Sequence, residues 1–349
     1  MKAWCLLIAC LMFAGEARSQ ALIHPTPEVT DAAVAPVSPT PPPPPAPTAP
    51  TTPSPSTVFR SSIDLVALNV VVTDGQQHFV TGLGAESFAV FEDGIQQDVS
   101  YFAATAVPLD LALLLDTSAS MTDKIATVQQ AASGFAATLR SEDRAMVVDI
   151  KDATRIVQPL TGQLPAVLGA IRSTTPRGGT GLYNGLYLTL KQLIKERRDN
   201  EDIRRQAIVV FSDGDDTASL LSFDDVMEVA KQAGIAIYTI TLRSRFEVQQ
   251  ASGGGRRYFS QSEYSMKTLA QETGARAFFP MEITELAGVY GSIGEELASQ
   301  YAIGYTPKNG RRDGAFRRVT VRVADRPGVQ VRTRTGYTAP RSEHRASLR

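Results

Sequence analysis

The most informative part of this chain is residues 109–120, Leu-Asp-Leu-Ala-Leu-Leu-Leu-Asp-Thr-Ser-Ala-Ser. Its first part, ending at Leu115, is the nearly continuous apolar run expected of a strand that is buried on both faces. It is followed by Asp116, Ser118 and Ser120, which place a carboxylate and two short hydroxyls at one strand tip. Small hard cations such as Mg²⁺ prefer oxygen ligands of this kind. The stretch therefore predicts a buried strand with an oxygen-rich tip.

Two later segments supply matching oxygen donors. Gly178-Gly179-Thr180-Gly181 is a glycine-rich loop with one hydroxyl, and Phe211-Ser212-Asp213-Gly214 ends a second apolar run that begins at Ala207. Ligands of open α/β sheets bind outside the carboxyl ends of the strands. Because Asp116 and Asp213 both lie at such ends, we expect them to share one site.

Together, the D-x-S-x-S motif, the loop threonine and the S-D-G motif resemble the metal-ion-dependent adhesion site of von Willebrand factor type A domains. The resemblance covers about residues 108–307, and the family's ligand positions are occupied by Asp116, Ser118, Ser120, Thr180 and Asp213. It implies that the hydroxyls bind a cation directly and that the carboxylates act directly or through water. It also implies Mg²⁺, or Mn²⁺ or Ca²⁺, as the cofactor, and a protein partner that presents an acidic side chain.

A simpler interpretation exists for each motif alone. Asp and Ser after a strand commonly cap the next helix, and Ser-Asp-Gly is an ordinary turn sequence. The metal-site interpretation depends on all three motifs occurring in order, each at a strand or loop tip.

The N-terminus predicts export. Lys2, an apolar stretch and small residues near position 21 are typical of a secretory signal peptide, which we place at residues 1–21. Lipidation at Cys10 and an uncleaved membrane anchor are the alternatives. Both cysteines, Cys5 and Cys10, lie in this leader, so cleavage would leave a protein without thiols. We expect a secreted, periplasmic or cell-envelope protein that is not inserted in a membrane after cleavage.

Composition divides the rest of the chain. Residues 22–56 are rich in Pro, Thr, Ala and Ser, and predict a disordered, polyproline-type spacer. Residues 57–106 and 301–340 alternate as β-strands do, with the last strand predicted from Val329 to Thr335, and 341–349 is expected to be a disordered tail. The first flank (57–105) has one Arg against six Asp and Glu, whereas the last (306–349) has twelve Lys and Arg against three acids. Their opposite charges, −5 and +9, favour pairing of the two flanks.

Residues 107–300 alternate between strands and helices, the pattern of a mainly parallel sheet covered by helices. The predicted strands are Leu109 to Leu115, Ala145 to Ile150, Thr154 to Gln158 (antiparallel), Ala207 to Phe211, Ile235 to Leu242 and Ala275 to Phe279. The predicted helices are Asp123 to Arg140, Gln163 to Ser173, Leu182 to Glu196, Phe223 to Ala233, Ser265 to Thr273 and Ile283 to Gln300. We therefore predict an α/β fold: a doubly wound, Rossmann-like von Willebrand factor type A domain inserted in a small β-sandwich formed by the N- and C-terminal flanks.

The remaining motifs favour binding over catalysis. All three histidines, His24, His78 and His344, lie outside the central domain, so no Ser-His pair can form within it, and no G-x-S-x-G motif is present. A net charge of −1 gives no general case for nucleic acid. We expect a protein that is not an enzyme: a metal-dependent, adhesion-type binding module. The alternative is an envelope scaffold in which the metal site is incidental.

The segment from Arg243 to Gln261 interrupts the alternation at the carboxyl end of a strand. Its cations, Arg243, Arg245, Arg256 and Arg257, predict a basic rim that attracts acidic partners, although a surface insertion has the same appearance. Farther on, Glu272-Thr273-Gly274 to Pro280, Tyr301 to Pro307 and Thr335-Gly336-Tyr337 resemble a bacterial, acidobacterial-type VWFA-related subgroup. That resemblance implies a secreted protein and names no ligand.

Overall fold

The computed structural model describes residues 65–104, 107–199, 203–212, 215–243, 260–324 and 326–341. All of them belong to the second of two compact units, Ser61–Arg349; the first unit is Met1–Arg60. The predicted signal peptide (1–21), the proline-rich spacer (22–56) and nearly all of the tail lie outside the described residues. No helix within the described residues is long and apolar enough to cross a membrane.

The described residues form strands and helices in the following order. The strands are β1 Val66–Thr73, β2 Phe88–Glu92, β3 Ile95–Gln97, β4 Val99–Ala103, β5 Leu109–Asp116, β6 Arg144–Ile150, β7 Arg155–Thr161, β8 Arg205–Ser212, β9 Ala236–Thr241, β10 Ala277–Phe278, β11 Tyr301–Tyr305, β12 Phe316–Val323, β13 Gln330–Arg332 and β14 Gly336–Thr338. The helices are α1 Ile125–Ala136, α2 Leu164–Ser173, α3 Leu182–Asp199, α4 Phe223–Ala233, α5 Gln261–Glu272 and α6 Leu286–Ala298.

A six-stranded sheet with the order β10-β9-β8-β5-β6-β7 forms the central domain. Every pair is parallel except β6–β7, which is antiparallel as predicted. All eight residues of β5 and of β8 are buried, because helices cover both faces of the sheet. One face packs against α1, α2 and α6, and the other against α3, α4 and α5. The carboxyl ends of β5, β6 and β8 consequently meet at one edge.

The two flanks form a second domain of two antiparallel sheets, with orders β13-β1-β11-β4 and β14-β12-β2-β3. Each sheet contains strands from both ends of the chain: Leu68 of β1 is opposite Ile303 of β11, and Val90 of β2 is opposite Val321 of β12. Apolar residues of both sheets share one core. The structure thus confirms the predicted fold, in which the flanks pair around an inserted α/β domain.

The opposite charges of the flanks meet at two ion pairs. Arg317 lies 3.4 Å from Glu92, and both side chains are almost completely buried. Lys308 lies 3.1 Å from Asp98 at the surface. The exposed pair contributes little, whereas the buried pair must remain matched because an isolated charge is costly to bury.

Most predicted boundaries differ from the structure by a few residues; the helix predicted from Asp123 to Arg140, for example, covers Ile125–Ala136. Three differences have an identifiable cause. The strand predicted from Val329 to Thr335 is shorter: only β13, Gln330–Arg332, forms there and pairs with β1, and the chain then crosses to β14 in the other sheet. The helix predicted from Ser265 begins at Gln261, since Ser260 Oγ caps it by accepting from Glu263 N (3.2 Å). The helix predicted from Ile283 is a short 3₁₀ turn followed by α6.

Candidate metal centre

The tip of β5 holds Asp116 in a fixed orientation. Its side chain is completely buried, and its two carboxylate oxygens accept from different donors. Oδ1 accepts from Ser118 N (2.9 Å), and Oδ2 accepts from Ser212 Oγ at the end of β8 (2.7 Å). The Ser212 contact joins the tips of two neighbouring parallel strands. Both oxygens are thus held by the protein, which fixes the orientation of the carboxylate at the strand tip.

Two hydroxyls lie beside this carboxylate. Ser118 Oγ and Ser120 Oγ are 2.9 Å apart; Ser118 is buried, and Ser120 is exposed at the start of a 3₁₀ turn. Adjacent ligands of an octahedral Mg²⁺, each about 2.0–2.1 Å from the ion, are about 2.9 Å from one another. The spacing of the two hydroxyls therefore fits an ion of this size.

The glycine-rich loop packs directly against the tip of β5. Ala119 N donates to Gly178 O, and Arg177 N donates to Thr117 O, both at 2.9 Å. Gly178 has a φ of +70°, and a Cβ there would lie 2.0 Å from a carboxylate oxygen of Asp152. The positive φ disfavours a side chain at this position, whereas the exposed Asp152 carboxylate could move aside. The glycine thus allows Thr180 to approach the strand tips.

A third segment holds Thr180 by its backbone. Thr180 N donates to Thr217 Oγ1 (2.9 Å), while Thr217 N and Ala218 N donate to Thr180 O (2.9 and 3.0 Å). The segment that follows β8 thereby fixes the loop from the side opposite Ala119. Asp213 itself lies outside the described residues, so its placement as a ligand stays a prediction.

The structure adds three charged residues that sequence reasoning missed. Asp149 is the penultimate residue of β6 and its side chain is buried, and Lys151 comes directly after the strand and is 8% exposed. Asp152 lies at the surface and accepts from Gly179 N. All three come directly after the apolar core of β6, at the same sheet edge as Asp116. A charged run at the end of a predicted buried strand was the available signal.

Electrostatics at this edge are reflected in Tyr183, near the start of α3. Burial raises the pKa of its hydroxyl, and the negative charges of Asp216 and Asp215 raise it further, against a hydrogen bond with Ser265. The carboxylates of Asp215 and Asp216 thus lie close enough to Tyr183 to act on it electrostatically.

The donor set suits a hard cation. Within the described residues, no group of three or more His, Cys, Asp or Glu side chains could hold a metal ion. An ion here would depend on the hydroxyls of Ser118, Ser120 and Thr180, supported by Asp116. Hydroxyl and carboxylate oxygens match Mg²⁺ or Mn²⁺ better than softer metals.

One member of the predicted basic rim can be placed. Arg243 forms an ion pair with Glu263 of α5 (2.6 Å), and its guanidinium lies over the ring of Phe279, 5.1 Å from the ring centre. The pair joins α5 to the ends of β9 and β10. The other predicted rim residues, Arg245, Arg256 and Arg257, lie outside the described residues.

The sequence of this region agrees with the geometry. Residues 111–215 match the family model described as von Willebrand factor type A domain. This part of the chain is a von Willebrand factor type A domain. The matched range contains Asp116, Ser118, Ser120 and Thr180, and it also includes Asp213. No curated protein sequence matched the chain.

Three solved structures illustrate the range of similar proteins. A von Willebrand factor type A protein from Catenulispora acidiphila is 12% identical, with a TM-score of 0.46 over 82% of this chain and 76% of that one. The von Willebrand factor domain of the type V pili tip protein Mfa5 from Porphyromonas gingivalis is 13% identical (TM-score 0.40; 56% and 96%). Proximal thread matrix protein 1 from the mussel byssus, with a zinc-occupied MIDAS motif, is 15% identical (TM-score 0.43; 58% and 48%). These likenesses are too distant to bear on the ligand or partner of this domain.

Proposed function

We propose that this protein is an extracytoplasmic, metal-dependent binding module. Its von Willebrand factor type A domain would hold one divalent cation with Ser118, Ser120 and Thr180, while Asp116 and Asp213 act directly or through water. The cation would capture an acidic side chain of a protein partner. The observation that carries this proposal is the 2.9 Å spacing of the Ser118 and Ser120 hydroxyls beside the buried Asp116.

The composition of the site explains why its cation would seek a further ligand. Neutral hydroxyls neutralise little of the charge of a divalent ion, and Asp116 is already shared with Ser212 and a backbone amide. A carboxylate from outside would supply the missing negative charge. Mg²⁺ is the cation we favour, with Mn²⁺ or Ca²⁺ as substitutes.

The location and the class of partner come from the whole chain. The predicted signal peptide and proline-rich spacer support a module held away from a membrane or wall, as does the resemblance to the VWFA-related subgroup. We propose no catalytic role. His78, the one histidine among the described residues, sits in a surface turn of the β domain, 3.3 Å from Asp74. We propose no nucleic-acid partner either, since the chain as a whole has a net charge of −1.

A scaffold function is the second candidate, and one observation favours it. The site atoms already bond to one another: Ser118 with Ser120, and Asp116 with Ser212. Such a network can stabilise the strand tips without any ion. In that case the fold, and not the cation, would serve an assembly in the cell envelope.

Calorimetric titration with Mn²⁺ and Mg²⁺ tests the proposal. The wild type should bind one ion, and Asp116→Ala and Asp213→Ala should each lose that binding. Asp110→Asn is a matched control, because Asp110 is a buried acid at the opposite end of β5. An ion at a hundred times its Kd should also stabilise the protein by about 2.7 kcal/mol. Unchanged binding in both site variants would refute the site.

Capture experiments test the partner. Immobilised wild-type protein should retain envelope proteins in Mg²⁺ and release them in chelator, and Asp116→Ala should retain none of them. Retention that is indifferent to both chelator and Asp116→Ala would support the scaffold function instead.

A further inference from the structure

A buried ion pair lies at the end of β6, beside the candidate metal centre. Lys151 Nζ is 2.6 Å from Asp149 Oδ2, and the side chains are 10% and 1% exposed. Neither residue belongs to the D-x-S-x-S, threonine and S-D-G motifs. Because the ammonium is buried and already paired, it is not available to an acidic group of a partner protein.

Each member of the pair contacts a different loop of the metal centre. Thr117 Oγ1, between Asp116 and Ser118, donates to Asp149 Oδ1. On the other side, Lys151 Nζ donates to the carbonyl oxygen of Thr175 (3.3 Å), at the start of the segment that leads to Gly178 and Thr180. The pair therefore bridges the β5 tip and the glycine-rich loop with side chains.

The same two loops are joined by backbone bonds between Ala119 and Gly178 and between Arg177 and Thr117. These two bonds set the register between the β5 tip and the glycine-rich loop, and with it the position of Ser118 relative to Thr180. Buried ion pairs often add little net stability, and fixing a register is their best-attested use. A charged pair at this position has a clear purpose if it holds that register.

We propose that Asp149 and Lys151 are positioning residues that fix Ser118 relative to Thr180 before any cation binds. The loops would then be pre-formed, and the ion would not have to order them. The consequence for metal affinity rests on the function proposed above. The ordering of the loops is independent of that function, because the loops are ordered without metal.

Two pairs of variants test the proposal. Lys151→Met breaks the ion pair, and Lys151→Arg restores a cation. Thr117→Val removes only the hydroxyl donor to Asp149 and leaves the ion pair intact, while Thr117→Ser restores the hydroxyl. If Lys151→Met does not fold, Thr117→Val still tests the contact between Asp149 and the β5 tip, because this substitution leaves no unpaired charge buried.

Arg144→Met is the control for general destabilisation. Arg144 is paired with buried Asp110 (2.8 Å) at the opposite end of the same sheet. Breaking that pair should lower the unfolding midpoint without altering the β5 tip or the glycine-rich loop.

The first measurement is hydrogen exchange in chelator. Exchange at the amides of Ala119 and Arg177 should be about tenfold faster in Lys151→Met and Thr117→Val than in the wild type, and close to wild type in Lys151→Arg, Thr117→Ser and Arg144→Met. The second is Mn²⁺ affinity by calorimetry, which should fall about tenfold in the same two variants, the usual range for second-layer groups.

The outcomes separate the two proposals. Unchanged exchange at both amides in Lys151→Met and Thr117→Val overturns the positioning role, whatever the metal result. Faster exchange together with no Mn²⁺ binding by the wild type supports the positioning role and removes the metal-dependent function. Equal loosening of these amides in Arg144→Met would show a global effect and would also overturn the proposal.

Discussion

Arg332 of β13 and Glu296 of α6 form an ion pair, with Nη2 2.6 Å from Oε2, that joins the β domain to the von Willebrand factor type A domain. Glu296 is completely buried and also accepts from the hydroxyl of Tyr238 in β9 (2.7 Å). Arg332 further donates to the carbonyl of Gly274 (2.8 Å). One side chain from the C-terminal flank thus contacts two elements of the inserted domain, so the two domains are expected to unfold together.

Replacing Arg332 by Met should destabilise the protein by about 3 kcal/mol, because it leaves the Glu296 charge buried. Arg276, 3.8 Å from Glu296, limits the loss. Urea unfolding measures the change, and Glu296→Gln in the same protein should recover part of it. Arg318→Met is the matched control: Arg318 is exposed on β12 and should change stability by less than about 0.5 kcal/mol. Equal effects of the two arginine substitutions would contradict this account.

Deletion of residues 306–349 should expose the N-terminal flank to proteases. It removes β12, β13 and β14, which leaves β2 and β3 as a two-stranded hairpin and β1 without one neighbour. An isolated hairpin is marginally stable at best in water. Limited proteolysis should then cut between residues 85 and 104 faster than it does in the full-length chain. Full protection of these residues would mean that the first flank folds independently.

Much of the central domain was predictable because its strands are buried on both faces. The apolar runs that end at Leu115 and Phe211 leave little choice of structure, and their polar tips identify the edge where the β5 tip contacts the glycine-rich loop. The pairing of the flanks was predictable from alternation and opposite charge. The apolar runs and the alternation both arise from burial, which the pattern of apolar residues records directly.

Other features depend on contacts that are distant in sequence. The run from Val329 to Thr335 has one continuous pattern, yet only Gln330–Arg332 forms a strand, because the chain then leaves β1 and crosses to the other sheet, where β14 pairs with β12. Lys151 and Asp149 look like a solvated charge run until β5 and the glycine-rich loop enclose them. In each case the structure depends on contacts between residues that are distant in sequence, and the local pattern does not show those contacts.

The β domain should lose stability at alkaline pH. Tyr305 and Tyr337 both donate to buried Glu92 (2.8 and 2.9 Å), and burial, reinforced by the Glu92 charge, raises the pKa of both phenols. A raised folded-state pKa gives stability that is complete below the unfolded pKa of about 10 and is lost as the pH rises above it. Phenolate absorbance should show these two groups ionising only with unfolding.

Tyr337→Phe isolates one of these groups. At pH 8 the variant should be less stable than the wild type by about 1.5–3 kcal/mol, the value of a hydrogen bond to a charged group. Above pH 10 this difference in the free energy of unfolding between the two proteins should narrow by up to about 1.4 kcal/mol per pH unit. Burial lowers the pKa of Arg334 to about 10, which has the opposite sign of pH dependence; its guanidinium lies over the Tyr337 ring (5.5 Å), a contact that Tyr337→Phe keeps. A gap that does not change with pH would contradict the assignment.

Thr180→Ala should weaken partner binding more than metal binding. The loop keeps its shape in the variant, because Thr217 and Ala218 bond only to the backbone atoms of Thr180. Ser118, Ser120 and the two aspartates would still bind the ion, whereas the arrangement that accepts an acidic ligand would lose one oxygen. We expect a partner captured in a chelator-sensitive manner to bind about tenfold more weakly, a difference of about 1.4 kcal/mol, with Mn²⁺ affinity changed much less.

Thr175→Ala makes the same chemical change in the same loop at an exposed residue that contributes only its carbonyl, and it should leave both affinities as in the wild type. A partner that binds Thr180→Ala as tightly as the wild type, in chelator as well as in Mg²⁺, would exclude cation-mediated capture and leave the scaffold function.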